Sequence, residues 1–146
     1  MYANYILPFL ALLAPSVYSL PAFTTTTVGP VIGEWTVYGF YRDCTREANS
    51  CDYHFIIDEN TNSKDVAECK FSVKGHGETD FRDKHCGERF RVNGGWAQRG
   101  TGDSFVTVVV TDVEKGAYGF FGFRADEFER VGSSKPSSTK PAYKIE

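Results

Sequence analysis

Between Trp35 and Asp58 the chain runs Trp35-Thr36-Val37-Tyr38-Gly39-Phe40-Tyr41, then a polar connector, then Tyr53-His54-Phe55-Ile56-Ile57. Cys44 and Cys51 stand at the two mouths of that connector. Aromatic and β-branched residues suit a pleated, half-buried surface. The connector, Thr-Arg-Glu-Ala-Asn-Ser, is turn composition. The stretch therefore predicts a β-hairpin whose loop is clipped by a Cys44–Cys51 disulfide, which requires an oxidising compartment.

The N-terminus supplies one. Residues 1–19 carry no charged side chain and hold the apolar run Ile6-Leu7-Pro8-Phe9-Leu10-Ala11-Leu12-Leu13-Ala14. Val17 and Ser19 are small enough for the −3 and −1 positions of a signal-peptidase site, so cleavage is expected after Ser19 and the protein is expected to be secreted. The apolar run is shorter than the ~20 residues a bilayer span needs, so no stable membrane insertion is expected.

Residues 20–33, with four consecutive threonines and two prolines, read as an irregular arm. Past the hairpin, residues 67–74 alternate, with Ala67, Cys69, Phe71 and Val73 on one face and charged or polar residues on the other. Residues 75–87 read as a long polar loop ending at Cys86. Residues 88–97 read as a strand interrupted by Gly94-Gly95, where a bend or bulge is expected. The most β-prone run is 105–113, and 117–124 is a Gly-thinned aromatic strand. Residues 126–131 read as a closing strand or one helical turn. The β domain is thus expected over 34–131, and the Ser-, Pro- and Lys-rich residues 132–146 as a disordered tail.

Six or seven short strands separated by turn signals predict an all-β, compact antiparallel barrel or sandwich with two disulfides. Four cysteines allow three connectivities. Pairing Cys44 with Cys51 and Cys69 with Cys86 closes two local loops, while crossed pairings stay open on spacing alone. Neither C-x-x-C nor a Cys/His metal spacing occurs, so no metal and no cofactor is expected. A formal net charge of −3 gives no case for a nucleic-acid partner.

Several residues carry functional readings. His85 beside Glu88-Arg89-x-Arg91 offers the base, acid and phosphate-binding cation of a small secreted ribonuclease. Neighbouring strand residues point to opposite faces, however, which sets Glu88 against Arg89. His54 reads as a strand residue on the wetter face, and His76 and His85 as loop residues. Arg89, Arg91 and Arg99 surround Trp96, an arrangement that could stack on a sugar or a wall polymer. Interleaved acids favour a solvated face and a core Trp instead. Phe121 and Phe123 share one strand face, so Phe120 points the other way with Tyr118. Arg89, Arg91, Trp96, Arg99 and Phe120 are the candidate interaction surface. No catalytic residue is assigned, and a hydrolase or a glycan-binding module is the alternative.

The order Trp35, Phe40, Arg42-Asp43-Cys44, Asn49-x-Cys51, Tyr53-x-Phe55, Cys69-x-Phe71-x-Val73, Cys86, Gly95-Trp96, Gly102-x-x-Phe105-x-Thr107 and Val110-x-Asp112 resembles the Alternaria major-allergen-like family of small secreted fungal proteins. It is most similar to the hypersensitive-response-inducing elicitor branch. The resemblance implies a β-barrel, internal pairs Cys44–Cys51 and Cys69–Cys86, and no enzymatic activity. It also implies a place in the host apoplast and a plant host partner, such as a thaumatin-like defence protein or a cell-surface receptor. With all four cysteines used internally, a monomer or a weak non-covalent dimer is expected.

Overall fold

Alternation decides which side chains face inward. Cys51, Tyr53, Phe55 and Ile57 are buried, while the residues between them face out. Val106, Val108 and Val110 do the same further along the chain. A sheet with one apolar face must cover it, and here it curls on itself. The computed structural model describes residues 28–61, 66–75, 77–98, 103–128 and 135–146. The expected signal segment and most of the N-terminal arm lie outside these residues.

The elements are β1 (Val31–Thr45), β2 (Ser50–Asp58), β3 (Val66–Lys74), β4 (Phe81–Cys86), β5 (Phe90–Gln98), β6 (Ser104–Asp112), β7 (Ala117–Arg124), α1 (Ala125–Phe128) and β8 (Ser138–Lys144). They form one antiparallel sheet in the order β3-β2-β1-β8-β7-β6-β5-β4. Two meanders, β1 to β3 and β4 to β7, are joined by β8 slotted between β1 and β7. The sheet closes almost completely, leaving a seam between its edge strands β3 and β4. The Cys69–Cys86 disulfide crosses that seam, with Cα atoms 4.7 Å apart. Lys84 Nζ donates to the Ser72 carbonyl at 3.1 Å, and the Phe71 and Phe81 rings meet at 5.0 Å. The Cys44–Cys51 bridge lies within the β1–β2 hairpin, where the two residues are already register partners.

Aromatic rings fill the barrel. Phe40 stacks on Phe123 at 4.3 Å, with Phe55, Tyr53 and Phe128 around it. Phe40 reaches this position because β1 carries an irregularity between Tyr38 and Tyr41, with Gly39 at φ 67°. The extra residue switches the inward parity from Trp35 and Val37 to Phe40. On β5, Gly94 lies under the Phe81 ring, where any Cβ would collide with it. Gly94→Ala is expected to cost about 1–3 kcal/mol by overpacking, read as a lower urea midpoint at unchanged slope.

Three expectations are corrected. The tail is ordered in part: Ser138–Lys144 is a strand. Its polarity misled because a strand inserted between two others is held by backbone ladders on both edges, and Ala142 alone supplies its buried side chain. Flanking bonds extend the hold, from Phe40 N to Pro136 O at 3.3 Å and from Lys144 N to Pro30 O at 2.9 Å. The polar loop 75–87 contains β4, an edge strand whose inward residues are Phe81 and Cys86 and whose charges face solvent. Charged edges of this kind discourage pairing with other chains. Residues 31–33, assigned to the arm, already belong to β1. The closing element after β7 is the helical turn, α1.

Candidate functional site: the outer wall of the barrel

Cross-strand partners share a face, so the register maps the wall row by row. Across β5, β6 and β7 the outward rows are Asn93–Val109–Phe120, then Gly95–Thr107–Gly122, then Ala97–Phe105–Arg124. Beside the first row, Thr111 pairs with Tyr118, and Tyr118 with Tyr143 of β8. Up to its margins at Arg91 and Arg124 this part of the wall bears no charge. Phe120 is 47% exposed and sets its edge against Tyr118, with centroids 5.4 Å apart. Tyr118 in turn lies 5.7 Å from Tyr143.

The opposite part of the wall differs. The outward residues of β2 and β3 include Asp52, His54, Asp58, Glu68, Lys70 and Lys74. His54 Nε2 lies 2.8 Å from Glu68 Oε1, and Lys70 Nζ meets the same oxygen at 2.8 Å. Those bonds, Lys70 first and then His54, hold the Glu68 carboxyl below its ordinary range.

The residues singled out from sequence divide. Phe120 is on the wall as its alternation predicts. Trp96 turns inward: its Nε1 donates to Tyr53 Oη at 3.2 Å, and the Arg42 guanidinium covers its ring at 4.4 Å. One face of its ring is thus already taken by Arg42 and its indole N–H is spent on Tyr53. Arg91 folds back onto the carbonyls of Glu88 and Phe90, at 3.0 and 3.1 Å. Arg99 and His76 lie outside the described residues. His54 is on β2 and His85 on β4, so the described histidines sit on different strands; among the described residues His85 approaches Asp83, at 4.0 Å. Among the described residues no group of three or more His, Cys, Asp or Glu could hold a metal ion, and no helix is long and apolar enough to cross a membrane.

Arg89 departs most from expectation. It is no surface cation but the centre of an ion cluster at one end of the barrel. Its Nη2 is 2.6 Å from Glu59 Oε2 and 2.6 Å from Asp112 Oδ2, and both carboxylate side chains are wholly buried. Lys115 Nζ also holds Glu59 Oε2. Burial pushes the Asp112 carboxyl up. The Arg89 guanidinium, the Lys115 backbone N–H and Glu59 more than offset this and hold it below the ordinary value. Arg89 is raised correspondingly. Sequence reasoning missed Glu59 and Asp112, although one signal existed. Asp112 keeps the inward parity of Val106, Val108 and Val110, so a buried charge was implied there.

Compared with known proteins, no curated protein matches the chain. A family model described as "Effector TSP1" matches residues 36–145, a span that begins in β1 and ends just beyond β8, and so takes in every strand of the barrel and both cysteine pairs. This chain belongs to the Effector TSP1 family.

Proposed function

We propose that the protein acts outside the cell as a fungal effector that engages a plant host protein through the outer wall of β6 and β7, and that this contact triggers or modulates defence, including a hypersensitive response. The barrel interior serves as scaffold and performs no catalysis. The observation that carries this reading is the segregation of charge around the wall: an uncharged face with a half-exposed Phe120 on one part and mixed charges on the other. Interfaces are depleted of charge at their centres and enriched in aromatics. Family membership supplies the effector class. The plant host and the hypersensitive response follow from the likeness to elicitor-type proteins. Both disulfides suit an oxidising compartment, and with every cysteine paired no thiol remains to link two copies. The glycan and nuclease alternatives gain no support, because Trp96 is turned inward and the described histidines do not converge.

Leaf infiltration of the oxidised protein tests the proposal. Wild type is expected to raise an oxidative burst or cell death in a responsive host, Phe120→Ser to weaken it, and His54→Ala to leave it unchanged. Silence of the wild type across several hosts would count against the reading.

A further inference from the structure

The row Gly95–Thr107–Gly122 is a gap in the wall. A Cβ built on Gly95 or Gly122 meets no atom within 4 Å, so both look onto open space. Successive outward rows lie about 7 Å apart along the strands, so the Phe120 and Phe105 rows stand about 14 Å apart with only hydrogen atoms and one threonine between them. Two cavities mark the ends of this trench. One, of about 370 Å³, is lined by residues including Asp80, Arg82, Asn93, Gly95 and Val109. The other, of about 350 Å³, is lined by Asp103, Phe105, Gly122, Phe123 and Arg124. The trench thus runs across the strands from β4 to β7, about 14 Å at the usual strand spacing.

Its chemistry restricts the occupant. β5, β6 and β7, which floor the trench, are laddered on both edges, so their backbone groups are spent and cannot extend a sheet to a guest. A hydroxyl-rich glycan would give up hydrogen bonds to water for little return. Thr107 offers one hydroxyl, and Asn93 Oδ1 already accepts from Asp83 N at 2.9 Å. A polyproline-type segment needs no backbone partner and packs apolar rings between aromatic ridges. The two ends differ in charge. Arg124 is neutralised by Asp103 at 3.1 Å and Asp126 at 3.0 Å. Arg82, exposed at the β4 end, makes no ion pair among the described residues, while Asp80 on the same cavity has its Oδ1 occupied by the Trp96 backbone N–H at 2.8 Å.

We propose that this trench takes an extended, proline-containing apolar segment of the partner protein, oriented by an acidic residue of that segment against Arg82. The proposal rests on the reading of this wall as a recognition face and adds the chemistry of what it recognises.

Panning a random peptide library on the immobilised, oxidised mature protein tests it. Enriched peptides are expected to combine proline and apolar residues with one flanking acid. A synthetic peptide of that sequence should bind Gly95→Thr and Gly122→Thr at least about tenfold more weakly than wild type, the size of a hot-spot loss. Both variants place a β-branched residue into open space on a strand, and unchanged near-UV circular dichroism will verify their fold. Arg82→Ala should weaken the acid-bearing peptide and leave its amide counterpart unaffected. No consensus, or peptides that bind both glycine variants as tightly as wild type, would overturn the proposal. So would chitin or β-glucan oligosaccharides that bind wild type and are lost in those variants. A leaf response lost in Phe120→Ser but kept in both glycine variants would also sink the trench, while leaving the recognition reading standing. If wild type is silent in leaves, that reading falls and the panning still decides the trench.

Discussion

Replacing Cys69 and Cys86 together by alanine is expected to lower the melting temperature by roughly 10–15 °C, corresponding to about 3 kcal/mol. The chain-entropy term for a sequence separation of 17 gives that order. Topology adds to it. β3 and β4 are the two edges of the sheet, and no ladder of hydrogen bonds joins them. Without the bridge the seam is held by the Lys84–Ser72 bond and the Phe71–Phe81 contact. Both edges would then be freer to pair with other chains, so the variant should also aggregate on heating. Removing Cys44 and Cys51 should cost less, about 1–2 kcal/mol, because the β1–β2 ladder already holds those residues in register. Thermal scans of the two double variants side by side check the ranking. Equal losses would mean that the seam is closed by something other than the bridge.

Arg89→Met is expected to destabilise by about 3–5 kcal/mol, because it removes the guanidinium shared by two buried carboxylates and leaves only Lys115, on Glu59, to offset their charge. Glu59 Oε1 already lacks a hydrogen-bond partner in the intact cluster, which leaves little to compensate the loss. The pH dependence gives a second readout. The folded Asp112 carboxyl is held below its unfolded value, so its contribution is complete above the unfolded range near pH 4 and is lost as the pH falls through the lower folded value. In Arg89→Met burial pushes the Asp112 carboxyl up instead, and acid relieves its penalty. The gap between wild type and variant, measured by urea denaturation, should therefore narrow below about pH 5. Adding Glu59→Gln and Asp112→Asn to the methionine should recover part of the loss at neutral pH.

The strands of the two meanders other than β4 were legible because one wet face and one dry face impose a period of two, visible in 67–74 and 105–113. The same parity placed Phe120 opposite Phe121 and Phe123. β4 and β8 were hidden for different physical reasons. β4 is an edge with charges on its solvent side, and β8 is stabilised by backbone bonds that leave little trace in side-chain composition. The ion cluster was hidden because Glu59 and Arg89 stand 30 residues apart and Arg89 and Asp112 a further 23, so they meet only when the barrel closes. Arg89 was placed on a surface by its basic neighbours, and Trp96 was named with it as candidate surface although the interleaved acids favoured a core ring. The neighbours were real, but Trp96 keeps the inward parity of Val92 and Gly94, and Arg89, in the turn before β5, reaches buried carboxylates that are distant in sequence. The trench needed register, because Gly95 and Gly122 come from strands separated by β6 and share a row only through Thr107.

Hydroxyl-radical footprinting of the oxidised protein, in buffer and in apoplastic fluid from a responsive leaf, tests the recognition face most directly. The account predicts that oxidation of Phe120 and Tyr118 falls in the fluid while that of Tyr41 and His54, on the β1–β2 side, stays as it is in buffer. Protection confined to Tyr41 and His54, with Phe120 as reactive as in buffer, would contradict it.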